Sequence, residues 1–244
     1  MKDLKARFDR VDALRGVAVV WMTAFHFSFD LAHAGLWAQN FYADPFWTWQ
    51  RVAIVSLFLF CAGLGQAVAA QHAVGWPRFW RRWAQVAGCA LLVSAGSAFM
   101  FPNSWIYFGV LHGIAVMLVI ARLTARCRLW LWPMGALAIA SKFIASYALS
   151  MGGSADFFNQ KAVNWLGWIT QKPVTEDYVP LFPWLGVLWW GMAAGFWLLQ
   201  KHPQWLQGSA PRALAWLGRW SLPYYMLHQP VLIGLVTAFA WAKG

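Results

Sequence analysis

Seven stretches of this chain are long, apolar and nearly free of charge: 11–34, 46–70, 84–101, 106–123, 129–150, 180–200 and 218–241. A helix of about twenty apolar residues matches the hydrocarbon layer of a bilayer, where only structures that satisfy every backbone N–H and C=O internally survive. The expected fold is therefore all-α: a polytopic membrane helix bundle of about seven transmembrane helices, the third span being the shortest. Composition agrees, with 11% charged residues against about 25% in soluble domains. The connections, among them HAVGWPRFWRR, TARCR and KHPQWLQGSAPR, carry Pro, Gly and charge, and none could hold a second domain. The chain reads as a single domain, 1–244. Its one long polar stretch, 151–179, is expected to pack over the bundle as an outward-facing loop, lid or re-entrant segment.

The net charge of +11 does not point to nucleic acid, because the cations lie in short segments between apolar runs. Their distribution instead sets an orientation. With the N-terminus in the cytoplasm, that side receives Lys2, Lys5, Arg7, Arg10, Arg15, Arg78, Arg81, Arg82, Arg122, Arg126, Arg128, Lys201, Arg212 and Arg219, fourteen of nineteen cationic residues. The C-terminus and the 151–179 stretch then face outward, and a multi-pass protein of a bacterial inner membrane is expected. The start of the chain imitates a cleavable signal peptide, but its apolar core is interrupted by His26, so it is expected to be retained. Trp pairs near span ends suit two aromatic belts, and with twenty Trp some must line the interior. Cys61, Cys89 and Cys127 have neither paired nor metal-like spacing and read as packing residues; no metal is expected.

The first span, LRGVAVVWMTAFHFSFDLAHA, keeps Arg15, His26, Asp30 and His33, although each ionisable group in a bilayer costs several kcal/mol (roughly 2.5 to 3.5 on insertion scales for Arg or Asp). At ~100° per residue, Asp12, Arg15, Val19, Met22, His26, Asp30 and His33 form one stripe, with Arg15 and His26 ~16 Å apart along the axis. The plain alternative is that Arg15 pairs with Asp12 while His26 bonds a neighbouring helix. His112, in YFGVLHGIA, falls about seven residues into the fourth span, hence ~10 Å deep. Together with His26, Asp30, Arg51 and Asp177 it is expected to line an outward-facing polar chamber, with Trp184 and His228 as further contacts to a substrate. Arg15, Arg78, Arg81 and Arg82 would face the cytoplasm.

These residues also carry a resemblance. RFDRVDALRGVAVVWMTAFHFSFDL resembles the opening of the bacterial relatives of heparan-alpha-glucosaminide N-acetyltransferase. Its Arg, followed eleven residues later by His, is similar to the first-helix signature of integral-membrane acyltransferases that O-acetylate bacterial glycans. SLFLFCAGLG, WIYFGVLHGIA, DYVPLFPWLGVLWWGMAAG and LGRWSLPYYMLHQPVLI resemble the remaining blocks of the first family in order and spacing, so the likeness spans almost the whole chain. It implies transfer of an acyl group from cytoplasmic acyl-CoA to a sugar on the far side of the membrane. The animal enzyme has Asn in place of His26 and a catalytic His in the stretch after the first helix, whose nearest counterpart is His33. The luminal domain and several helices of the animal enzyme have no expected counterpart among these 244 residues.

The chemistry required is on hand. A base must take the acceptor's proton, and imidazole, with a pKa near 6.5, suits that task. His26, oriented by Asp30, is the leading candidate, with His33 and His112 as the others. Arg15, Arg78, Arg81 and Arg82 are the donors expected on the phosphates of acetyl-CoA or another acyl-CoA. Partners are then the lipid bilayer, acyl-CoA, a glycan or amino-sugar acceptor and, as an option, a second copy in a homodimer. The competing readings are a proton-coupled transporter with a His/Asp/Arg relay and a non-catalytic membrane scaffold.

Overall fold

A computed structural model describes residues 8–243; Lys2, Lys5 and Arg7, counted above for orientation, lie outside the described residues. The protein is all-α, 77% helical, with no β-strand among the described residues. Its helices are α1 (Asp9–His33), α2 (Pro45–Gln71), α3 (Trp76–Met100), α4 (Val110–Leu123), α5 (Leu131–Gly152), α6 (Ala155–Asn159), α7 (Trp184–Lys201), α8 (Pro203–Gln207), α9 (Arg212–Arg219) and α10 (Ser221–Lys243). Each of the seven expected spans overlaps at least one of these helices. Among the described residues four segments are long and apolar enough to cross a membrane: Pro45–Gln71, Trp76–Met100, Ala125–Gly152 and Ser221–Ala242.

The boundaries differ from the sequence reading for local reasons. The third span is not short, because Gly75 and Pro77 start α3 at Trp76, eight residues before the apolar run. The fourth begins at Val110 instead of 106, leaving α4 with 14 residues. Residues 104–109 are drawn off by 175–179, which run beside them: Thr175 Oγ1 donates to the Trp105 carbonyl (2.9 Å), Glu176 N to that of Ser104 (2.9 Å) and Val179 N to that of Phe108 (3.3 Å). The last expected span is two helices, because α9 stops at Arg219 before α10 starts.

The chain forms two compact units, Met1–Phe58 with His202–Gly244, and Leu59–Lys201. In the first, α1 carries Asp9 and Asp12 in its first turn, where the helix dipole favours acids. It ends in a Schellman turn: Leu36 N donates to the Leu31 carbonyl and Gly35 N to that of Ala32, with Gly35 at φ +72° in the left-handed region. The backbones of α1 and α9 touch. A Cβ on Gly16 would overlap the Leu214 carbonyl, and one on Gly218 the Asp12 carbonyl. Small residues permit this approach where lipid supplies no hydrophobic drive to press helices together. Met22, Phe25, Phe41, Trp47 and Ile54 form the apolar core of the unit, against which Tyr224 and Tyr225 of α10 pack.

The second unit uses the same device. Gly191 on α7 faces the Phe60 backbone, Gly63 faces that of Leu188, and Gly186 faces that of Gly135 on α5. Indoles then tie the helices: Trp83 Nε1 donates to the Ala115 carbonyl (2.9 Å), Trp190 Nε1 to that of Trp132 (3.0 Å) and Trp189 Nε1 to Thr124 Oγ1 (3.0 Å). These are interior roles that twenty Trp led us to expect. Within 151–179, α6 and the short turn Asn164–Leu166 are pinned by Asn159, whose amide oxygen accepts from Thr170 N and Gln171 N, and by Tyr178, whose hydroxyl donates to the Asn164 carbonyl (2.6 Å).

Candidate functional site

Helices α1 and α10 are joined by three polar rungs. Thr23 and Tyr224 pair through their hydroxyls (2.9 Å), His26 Nδ1 meets His228 Nε2 (2.7 Å), and Gln229 Nε2 donates to Asp30 Oδ1 (2.9 Å). The α1 members, Thr23, His26 and Asp30, are spaced three and four residues apart and lie on one face; His26 and Asp30 belong to the stripe read from the sequence, and Thr23 stands beside it. On α10 the partners 224 and 228 are one turn apart. The far ring nitrogen of His228 meets the Tyr225 carbonyl (2.8 Å).

The assembly redirects two expected roles. Asp30 does not orient His26; its bonded partner is Gln229, and His228 holds the imidazole instead. His228, expected as a substrate contact, has both ring nitrogens engaged within the protein. His26, by contrast, uses Nδ1 alone, and Nε2 has no partner among the described residues. Asp30 is buried, and its Oδ2, like Oε1 of Gln229, has no hydrogen-bond partner among the described residues. His33, the last residue of α1, is exposed and lies parallel to the Phe29 ring (6.1 Å between centroids).

Arg15 is half-buried, with Nη1 on Asp12 Oδ1 at 3.1 Å, the pairing foreseen as the plain alternative. One guanidinium nitrogen is engaged there, and the fork has others to offer. Arg51 is half-buried on α2. Trp21 on α1 donates to the side chain of its neighbour Gln50.

In the second unit the polar residues serve the start of α4. His112 is its third residue, not one seven deep. Its Nδ1 accepts from Gly109 N (3.2 Å), and Nε2 meets Ser94 Oγ (3.0 Å), which itself donates to the Ile106 carbonyl (2.7 Å). Nδ1 is thus the acceptor and Nε2 carries the proton, so the neutral ring is fully satisfied as a cap. Both ring nitrogens are thus engaged within the protein, and in this geometry neither is left to take a substrate's proton. Asp177 completes the cap, Oδ2 accepting from Val110 N at 2.7 Å. The carboxylate comes so close that a Cβ at Gly109 would collide with it. Burial, then the neighbouring Tyr107, push the Tyr178 phenol above the ordinary tyrosine pKa. Trp184 opens α7, half-buried, and Arg78, Arg81 and Arg82 are exposed on the first turns of α3. Thr23, Tyr224 and Gln229 were missed from the sequence, since hydroxyls and amides on apolar helices carry no charge to mark them. Among the described residues no group of three or more His, Cys, Asp and Glu side chains could hold a metal ion.

Neither the curated proteins nor the solved structures searched gave a match. The family model described as heparan-alpha-glucosaminide N-acetyltransferase, catalytic, matches residues 7–230, a stretch that takes in all three rungs between α1 and α10. A match over nine-tenths of the chain settles membership: this protein belongs to the heparan-alpha-glucosaminide N-acetyltransferase catalytic family.

Proposed function

We propose that this protein is an integral-membrane acyltransferase that moves an acetyl or other acyl group from cytoplasmic acyl-CoA to the hydroxyl or amine of a sugar on the opposite side of a bacterial inner membrane. The observation that carries the reading is the half-engaged His26, with Nδ1 held by α10 and Nε2 left to accept a proton. In this reaction Nε2 removes the proton as the acceptor's oxygen or nitrogen attacks the thioester carbon. The C–S bond then breaks, and the CoA thiolate leaves with that proton. Arg15 is the donor-side cation of the first unit, and Arg78, Arg81 and Arg82, exposed at the start of α3, are those of the second. Arg51, Asp177 and Trp184 stay assigned to the acceptor side. All seven apolar helices are taken to cross the bilayer, N-terminus inside, and the chain to work as one domain.

The test is transfer from radiolabelled acetyl-CoA to a panel of sugars by purified protein in nanodiscs. His26→Ala should lower kcat by about 10² to 10⁴-fold, the usual worth of a general base, with acyl-CoA affinity and folded yield retained. Absence of acyl-CoA-dependent transfer in the wild type, or full activity in His26→Ala, sinks the proposal.

A further inference from the structure

Resting on the reading of His26 as the base, we infer that His228 is a positioning residue that fixes which nitrogen of His26 carries the proton. The Tyr225 carbonyl can only accept, so His228 Nδ1, 2.8 Å away, carries a hydrogen. A neutral imidazole has one N–H, so His228 Nε2 presents a lone pair. The hydrogen in the 2.7 Å contact between the rings therefore belongs to His26 Nδ1. The single N–H of His26 is thereby committed, and its Nε2 is the basic atom.

The ring geometry supports a directed bond rather than a stack. The planes differ by 16° and the centroids are 5.0 Å apart, yet the nitrogens are only 2.7 Å apart, closer than faces of stacked rings approach. The two rings lie edge to edge, near one plane, as a linear N–H···N bond needs. Tyr224 holds this arrangement. Its ring lies parallel to that of His228 (12°, 5.8 Å), and its hydroxyl is oriented by the same logic: Thr23 Oγ1 donates to the Val19 carbonyl (2.8 Å), so Tyr224 donates to Thr23.

The arrangement also gives the proton a resting place. When Nε2 of His26 takes a proton from the acceptor, the Nδ1 hydrogen can pass to His228 Nε2. His26 is then neutral, and the charge sits on His228, whose Nδ1–H remains on the Tyr225 carbonyl. The reverse shift returns the proton through His26 Nε2 to the CoA thiolate, and no proton is gained or lost. His228 touches no reacting atom.

The experiment is nitrogen-15 NMR of protein labelled at histidine, in nanodiscs, with the His26 signals assigned by their loss in His26→Asn. The wild type should show His26 protonated at Nδ1 and bare at Nε2. His228→Phe keeps a ring beside Tyr224 but offers no acceptor; the Nδ1–H signature should disappear, kcat should fall roughly 10 to 100-fold, and KM for acyl-CoA should hold. His228→Gln, whose amide oxygen can accept from Nδ1 and whose NH₂ can reach a carbonyl, should keep the signature and recover much of the rate. A wild-type His26 protonated at Nε2, or a spectrum unchanged in His228→Phe, overturns the inference. The spectrum does not depend on turnover, so its failure is separable from that of the acyltransferase reading.

Discussion

Two acceptors without donors among the described residues sit on one bonded pair: Asp30 Oδ2 and Gln229 Oε1. A buried acceptor left unpaired costs on the order of 1 to 3 kcal/mol, so this pair is a place where stability has been given up. Asp30→Asn supplies the missing donor while leaving Oδ1 for Gln229, and it should raise the melting temperature in detergent by an amount worth about 1 kcal/mol. A fall in melting temperature would show that the carboxylate has a further partner. His33→Ala, at an exposed helix end, should leave transfer near wild type; its loss would move the base from His26 to His33. His112→Ala should loosen the start of α4 and lower thermal stability without removing transfer from the protein that stays folded. Loss of transfer at unchanged stability would restore His112 as a base. In each case the sequence named the residue, but only the hydrogen-bond partners separate the proposed base from a cap. That information lies 202 residues away for His26 and 18 for His112.

At the scale of elements, the periodicity of α1 was legible because steps of three and four residues are fixed by helix geometry. Where the fourth span starts was not, since IYFG at 106–109 is as apolar as VLHG at 110–113 and is held out of the helix by a segment seventy residues on. The α1–α9 contact was equally hidden: Gly16 and Gly218 look like two of twenty glycines until their neighbours are known. Gly218→Val should separate the two backbones and destabilise the protein by a few kcal/mol, as overpacking of a close contact does; melting that moves by less than a degree would contradict the contact. The 151–179 segment has a pH signature. Tyr178, half-buried and un-ionised, has a raised pKa when folded, whereas an unfolded tyrosine ionises near pH 10. Its stabilising contribution is present below about pH 10 and is lost as pH rises beyond it. Tyr178→Phe should melt earlier than wild type at pH 8, and the gap should narrow above pH 10. A constant gap would mean that the phenol titrates alike in both states.

For the molecule as a whole, seven apolar runs and a fourteen-to-five asymmetry of cations made the fold class and a proposed orientation readable, because bilayer thickness and the positive-inside rule act on every span at once. A reporter fused after α10 should be active only outside the cytoplasm, and one fused at Arg126 only inside. The reverse pattern would exchange donor and acceptor sides. Among the described residues four segments are long and apolar enough to cross by length and composition; what the sequence could not display is that the fourth run yields a helix of only 14 residues.

The three rungs between α1 and α10 bridge sequence separations of 201, 202 and 199 residues. During synthesis α1 leaves the ribosome first, and its His26 and Asp30 must wait in or beside the lipid until the last helix arrives. The centre is therefore the final thing to be assembled, and unfinished chains carry their own mark of incompleteness. A chain stopped before residue 221 should be recognised and degraded in the membrane, and pulse-chase labelling should show its half-life lengthened when Thr23, His26 and Asp30 are replaced together by leucine.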